Sequence, residues 1–179
     1  MRRRGFIAGL GCVVAWPLVA RAQQSERVRR VAVLMAHKED DPEYQKYIGA
    51  FRQGLFKLGW IEGRNVRIDA RWGALDDADQ RQQSAKELLA LQPDIILTQN
   101  TPPTKSMLQQ TGTVPVIFVV VADPVGSGFV GSLARPGGNA TGFTVMEPTT
   151  SAKWVELLKE IAPRINRAAF LFKHHAASR

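Results

Sequence analysis

Cysteine is almost absent from this sequence. Its one cysteine, Cys12, lies in a leader, residues 1–22, that we expect to be removed. The rest of the chain would then hold no disulfide, no thiol nucleophile and no thiolate-bound metal. Histidine is scarce too, with three residues in 179, and neither a G-x-S-x-G sequence nor a metal-spaced set of histidines and carboxylates is present. We therefore expect no enzyme and no metal or other cofactor.

Long hydrophobic runs are missing as well, apart from a short one near the start. Arg2, Arg3 and Arg4 precede an uncharged, mostly apolar segment, 5–18, and small residues follow at Ala20 and Ala22. This pattern is typical of an export signal, with cleavage before residue 23. The run is too short for a permanent membrane helix, which takes about 20 residues. We therefore expect a periplasmic protein with no stable membrane insertion after cleavage. The paired arginines leave open whether export follows the twin-arginine or the general secretory route.

Acidic residues are the minority among the charges. The chain has 16 of them against 24 lysines and arginines, a net charge of +8. Four arginines and no acids lie in 1–22, so residues 23–179 carry a net charge of +4. No basic cluster is interleaved with aromatic residues, as a nucleic-acid surface would require. We expect no nucleic-acid partner for an exported protein of this composition.

Segments with strand character alternate with segments of helical periodicity from Val28 onward. Asp41 followed by Pro42 predicts the start of the first helix. Strands are predicted over 28–35, 65–72, 94–98, 114–121 and 140–145, and helices over 42–58, 76–92, 102–110, 124–134 and 151–162. A sixth strand is predicted over 167–172. The alternation predicts an α/β fold, a doubly wound parallel sheet with helices on both faces.

Ligands of open parallel sheets bind beyond the carboxyl ends of the strands. Four predicted loops meet at that edge, which we call the crest: 36–41, 72–76, 99–104 and 122–125. The polar and aromatic residues of these loops are the candidate ligand-binding residues: His37, Trp72, Asn100, Thr101, Thr104 and Asp123.

The loop 99–104 is the most suggestive of the four. Thr101 precedes two prolines and is predicted to be an N-cap, and free backbone N–H groups at a helix N-terminus suit a carboxylate. The alternative is that Thr101 only caps its helix. Asp123 presents the same choice between a helix cap and a partner for a ligand ammonium group. His37 either hydrogen-bonds a ligand or is simply solvated.

Residues 126–131, GSGFVG, match the dinucleotide-binding pattern G-x-G-x-x-G. The match does not lie on the first strand–helix turn of the fold, where that motif belongs, and Pro124 and Val125 separate it from its strand. Glycines that allow a helix to pack closely on the sheet would give the same sequence pattern. An exported nicotinamide-dependent oxidoreductase stays open as an alternative function.

Several segments together resemble the solute-binding proteins of ABC transporters in the TrpX-like family. The resemblance begins with the leader, 2–24, and covers nearly the whole chain up to residue 172. The matching segments are AFRQGL (50–55), LGW (58–60), EGRNV (62–66), DPVG (123–126), SLARPGGN (132–139), TGF (141–143) and KWVELLKEIAP (153–163).

The resemblance implies a type I periplasmic-binding-protein fold, in which two lobes joined by a hinge close on a small ligand. Some relatives bind aromatic amino acids. The resemblance further implies delivery of the ligand to an ABC transporter permease in the membrane, and no catalysis. On this basis we expect a signal at 1–22, an N-terminal ligand-binding lobe at 23–147, and a hinge crossing with the start of a second lobe at 148–179.

The end of the chain departs from the family pattern. Members continue into a full second lobe, whereas this chain runs from the predicted strand 167–172 into KHHAASR and stops. We expect a C-terminally truncated product, and a remnant without ligand binding is a further alternative. The helix 151–162 would then expose its apolar face.

Overall fold

The computed structural model describes residues 27–73, 77–145 and 149–167. Its five strands form one parallel sheet in the order β2-β1-β3-β4-β5. The strands are β1 Arg29–Met35, β2 Val66–Trp72, β3 Ile95–Gln99, β4 Val116–Val121 and β5 Ala140–Thr144. The helices are α1 Pro42–Lys57, α2 Ala78–Ala90, α3 Thr101–Leu108 and α4 Thr149–Ile161. The predicted α/β class is confirmed.

Contacts divide the chain into two compact units, Met1–Val145 and Met146–Arg179. The first unit holds the whole sheet with α1, α2 and α3, and the second holds α4. Apart from Arg167, which is not in a strand, the predicted sixth strand lies outside the described residues. None of the helices in the described ranges is long and apolar enough to cross a membrane.

The inner strand β1 separates two apolar layers because successive side chains of a strand point to opposite faces. Val33 packs on the α1 side, with Ile48 of α1 and Val66 of β2. Leu34 packs on the other side, with Leu88 of α2 and Met107 of α3 among others. Helices on both faces account for the almost continuous apolar sequence of the inner strands.

Carboxylate caps fix where the first two helices begin. Asp41 accepts a hydrogen bond from the backbone N–H of Glu43 at 2.9 Å, with Pro42 at the first helical position. Asp77 accepts one from the N–H of Gln80 at 2.8 Å. Each cap satisfies an N–H group that has no partner within its helix. The cap predicted at Asp41 is confirmed.

The helix predicted over 124–134 is wrong. After β4 the chain makes hydrogen-bonded turns, in which the N–H of Phe129 donates to the carbonyl of Pro124 at 2.9 Å. Gly128 has a φ of 72°, outside the helical region, and glycines are poor helix formers. The segment instead buries Val130 against the α2–α3 side of the sheet.

Asp94 ties the amino ends of β1 and β3 together. Its Oδ2 accepts the backbone N–H of Arg30 at 2.8 Å, and its Oδ1 accepts a hydrogen bond from Arg29 Nη1 at 3.0 Å and pairs with Arg27 Nη2 at 3.3 Å. The hydrogen bond from the Arg30 backbone and the neighbouring arginines hold the pKa of Asp94 below its ordinary value, against the opposing effect of partial burial.

We expect Asp94→Asn to lower the free energy of unfolding at pH 7 by about 1 kcal/mol, because a charge-assisted contact becomes a neutral one. A carboxyl whose folded pKa is depressed stabilises the protein above its unfolded pKa of about 4. That stabilisation is lost as the pH falls through the folded value. Urea unfolding at pH 7 and at pH 3 should therefore show a difference between variant and wild type that shrinks at pH 3. A difference of equal size at both pH values would contradict this account.

Candidate functional site

The crest lies where β1, β3 and β4 end side by side. These strands are neighbours in the sheet, so the loops that follow them open at the same edge. His37 follows β1, Asn100 follows β3 and Asp123 follows β4. In open parallel sheets this edge is the usual ligand-binding edge.

The cap of α3 is Asn100, not Thr101 as predicted. Asn100 Oδ1 accepts the backbone N–H of Thr101 at 2.7 Å, and Thr101 is the first helical residue. The next two positions are prolines, which have no N–H, and the N–H of Thr104 donates to the Asn100 carbonyl at 3.3 Å. The first turn therefore offers no free backbone N–H to an anion. What it can offer is the Thr101 hydroxyl, the Asn100 carboxamide and the positive end of the helix dipole.

Thr104 lies beneath the crest rather than on it. The residue is fully buried. Its hydroxyl donates to the Asn100 carbonyl at 2.7 Å and lies 2.9 Å from the hydroxyl of Thr98 in β3. In this structure Thr104 holds Asn100 in position and does not present its hydroxyl at the surface.

Two residues at the crest adopt backbone conformations that are unfavourable for their side chains. Asn100 has φ 78° and ψ 161°, a region that is essentially restricted to glycine. Val120, near the end of β4, has a φ of 60°, which is exceptional for a β-branched residue. Asn100 directly follows β3 and Val120 lies in the adjacent strand β4, and the N–H of Asn100 donates to the carbonyl of Val119 at 2.9 Å. Such strain tends to cluster at functional sites.

An aromatic surface forms beside the loop after β1. The rings of His37 and Tyr44 stack with centroids 3.6 Å apart and an interplanar angle of 13°, and Tyr47 meets Tyr44 edge-on at 5.6 Å. Partial desolvation, together with the charges of Glu43 and Asp41, raises the pKa of Tyr44 above its ordinary value.

Trp72 is placed differently from the other candidates. It ends β2 next to Met35 in register, is half-buried, and packs against the apolar cluster under α1. Most of the Trp72 side chain therefore packs against the protein core and is not available to a ligand.

Asp123 is exposed and caps the turn after β4. Its Oδ1 accepts the N–H of Gly126 at 2.8 Å, which leaves Oδ2 turned toward the same glycine. A Cβ at residue 126 would lie 2.1 Å from that Oδ2. Gly126 is thus explained by the close approach of the Asp123 carboxylate. Since no helix starts here, the GSGFVG segment also lacks the helix N-terminus that would bind a dinucleotide pyrophosphate.

A cavity of about 470 Å³ lies on the α1 side of the sheet next to the crest. This cavity was not predicted from the sequence. Gln99, the last residue of β3, lines it together with Tyr44, Phe51 and Val119. A glutamine that ends a strand with three apolar residues at its start is a signal that could have marked the site. Within the described ranges, no group of histidines and carboxylates could hold a metal ion.

Comparison with known proteins decides the family. The model of the family of ABC transporter substrate-binding proteins matches residues 30–178. The chain belongs to this family. Among curated relatives of this chain, the tyrosine-binding protein of Clostridioides difficile (strain R20291) is 29% identical over 133 residues, which are 74% of this chain and 38% of the relative.

Solved structures of relatives share the fold. A conserved domain protein from Vibrio cholerae superimposes with a TM-score of 0.66 at 30% identity, covering 77% of this chain and 45% of the other. The ABC domain of Streptococcus pneumoniae in complex with L-Trp gives a TM-score of 0.64 at 27% identity, with coverages of 76% and 44%. The chain thus spans less than half the length of these relatives.

Proposed function

We propose that this chain captures an aromatic amino acid at the crest as the periplasmic solute-binding component of an ABC uptake transporter. It would deliver the ligand to the membrane permease without catalysis. The observation that carries the proposal is the stacked His37–Tyr44 pair at the crest, in a family with one relative named for tyrosine binding and another solved with L-Trp.

The crest offers a group for each part of such a ligand. Asp123 is an exposed residue whose negative charge suits the α-ammonium group, while its Oδ1 stays on its capping hydrogen bond. The Asn100 carboxamide and the Thr101 hydroxyl, at the positive end of α3, suit the α-carboxylate. The His37–Tyr44 stack provides an aromatic surface for the ligand ring.

The remaining candidates have supporting roles in this proposal. Thr104 fixes the Asn100 carbonyl from below, and Trp72 completes the apolar layer beneath the loop after β1. The unit that contains the crest supplies one wall of the site, corresponding to the lobe we assign to 23–147. Residues 148–179 would belong to the hinge and the start of a second lobe. Closure of a second wall is a population shift driven by contacts to both walls, so we expect the chain alone to bind weakly.

Export is part of the same proposal. Residues 1–22 would direct the chain to the periplasm and be cleaved before Gln23. Mass spectrometry of the chain recovered from a periplasmic fraction checks both points, because a mass that includes residues 1–22 would contradict the cleavage.

Isothermal titration of the chain recovered from the periplasm with L-tyrosine, L-tryptophan, L-leucine and NADH tests the function. We expect saturable binding of an aromatic L-amino acid and no binding of NADH. Asp123→Asn keeps an oxygen for the Gly126 N–H but removes the charge, so it should weaken binding about tenfold or more. Glu62→Gln is the matched control, since Glu62 is an exposed carboxylate paired with Arg52 next to the amino end of β2.

Each other result points to a different function. Binding of NADH alone would favour the oxidoreductase alternative. A folded protein that binds none of these compounds would favour a remnant without ligand binding. Equal losses in the Asp123 and Glu62 variants would show that the crest carboxylate is not specific to the site.

A further inference from the structure

The cavity beside the crest has the size and lining of a small-molecule site. Tyr44, Ile48 and Phe51 of α1 form one wall, and Leu97 and Val119 of the sheet form the facing wall. Its volume of about 470 Å³ lies within the range of about 300–1,000 Å³ that is usual for such sites. No charged residue of the described ranges lines it. The cavity therefore suits an uncharged ring rather than an ammonium group or a carboxylate.

A bulge in β4 contributes to this lining. The pairing of β4 with β5 shifts register between Phe118 and Val121. Val121 consequently turns to the α2–α3 side, where it is buried. Val119 and Val120 both line the cavity, so the bulge presents two consecutive side chains to it.

The side-chain amide of Gln99 is a polar group of the cavity with an unused donor. Gln99 is 4% exposed, and its Oε1 accepts the backbone N–H of Ala36 at 3.2 Å. Because a backbone N–H can only donate, this contact assigns the oxygen, and the nitrogen Nε2 is the other amide atom. Within the described part of the chain, Nε2 donates no hydrogen bond.

Tyr44 connects the cavity to the crest. It lines the cavity and stacks on His37, which follows β1. A ligand could therefore keep its charged groups at the crest and place its ring against Tyr44 and further into the cavity.

We infer that the cavity receives the ring of a hydroxylated aromatic amino acid, and that Gln99 Nε2 donates a hydrogen bond to the ring oxygen. This inference rests on the proposed function and adds a specificity-determining residue to it. A ring without an acceptor would leave the amide donor unpaired once the cavity is desolvated. A site that hydrogen-bonds a ligand hydroxyl discriminates strongly against an analogue that lacks the hydroxyl. An apolar site discriminates much less between two ligands of similar size. Gln99 thus selects tyrosine over phenylalanine.

Titration of the wild-type chain with L-tyrosine, L-phenylalanine and 4-amino-L-phenylalanine tests the inference from the ligand side. We expect tyrosine to bind at least about tenfold more tightly than phenylalanine. The amino analogue should bind no better than phenylalanine, because an aniline nitrogen is a poor acceptor. This comparison needs no variant to fold.

Gln99→Met tests it from the protein side. Methionine is similar in length to glutamine and has no donor, so the ratio of tyrosine to phenylalanine affinity should fall to about one through loss of tyrosine binding. Circular dichroism accompanies the titration, since the Ala36 N–H loses its acceptor. Equal binding of the two ligands by the wild type, or a tyrosine preference that persists in Gln99→Met, would overturn the inference.

Two ring fragments separate this inference from the proposed function. If the wild type binds none of the amino acids, the proposed function fails, and titration with p-cresol and toluene decides about the cavity. Binding of p-cresol in preference to toluene that is lost in Gln99→Met would support the Gln99 site. Absence of binding by either fragment would overturn it.

Discussion

Replacing Gly142 by alanine is expected to destabilise the protein by about 3 kcal/mol or more, because the new methyl group has no room. Gly142 lies in β5 directly opposite Phe118 of β4. A Cβ at residue 142 would lie 1.9 Å from the carbonyl oxygen of Phe118 and 2.7 Å from its ring. The obstructing atom belongs to the backbone of an inner strand and Phe118 is fully buried, so neither can move without breaking the pairing of β4 with β5.

Gly54→Ala is the matched control for this substitution. Gly54 lies inside α1, and nothing lies within 4 Å of a Cβ built there. Alanine is favoured over glycine in a helix interior by about 1 kcal/mol, so this variant should be more stable than the wild type. Urea unfolding followed by circular dichroism measures both variants. Equal stability of Gly142→Ala and wild type would mean that β5 does not pair with β4 in this register.

The parts of the fold that the sequence predicted well are those set by local chemistry. Asp41 before Pro42 is a capping pattern whose effect depends only on neighbouring residues, and the structure has the cap there. The inner strands β1, β3 and β4 were predicted because largely apolar runs rich in valine, isoleucine and leucine are typical of strands inside a covered parallel sheet.

The predictions of the α3 cap and of a helix over 124–134 were wrong because two local signals compete in each segment. Thr101 and Asn100 are both good capping residues, and the choice between them depends on the backbone at Asn100, which the adjacent strand holds at φ 78° through the carbonyl of Val119. In 124–134 the Asp-Pro pair predicted the start of a helix. The positive φ of Gly128 and the burial of Val130 instead stop the chain from continuing beyond hydrogen-bonded turns. Gln99 could have marked the position of the cavity, but its shape could not be predicted, because it depends on a register shift between Phe118 and Val121 that follows no recognisable sequence pattern.

Replacing Asn100 by glycine is expected to preserve or raise stability while it weakens ligand binding. In Asn100→Gly the unfavourable φ and ψ become acceptable, which relieves about 1–3 kcal/mol of strain. The lost cap costs only a few tenths of a kcal/mol with glycine, and the greater flexibility of the unfolded chain costs about 0.5–1 kcal/mol. We therefore expect this variant to be at least as stable as the wild type. Asn100→Ala keeps the strain and loses the cap, so it should be about 2 kcal/mol less stable than the glycine variant.

Ligand titration then separates the two roles of the residue. Both variants lack the carboxamide that we assign to the ligand carboxylate, so both should bind L-tyrosine more weakly although their stabilities differ. Gln92→Gly is the control, because Gln92 follows α2 with a φ of 53° and lies at the opposite end of β3 from the crest. It should gain stability without any change in binding. If Asn100→Gly were stable and bound tyrosine like the wild type, the strained backbone would only position α3. A stable glycine variant with weakened binding would instead mean that the strain is maintained because the carboxamide contacts the ligand.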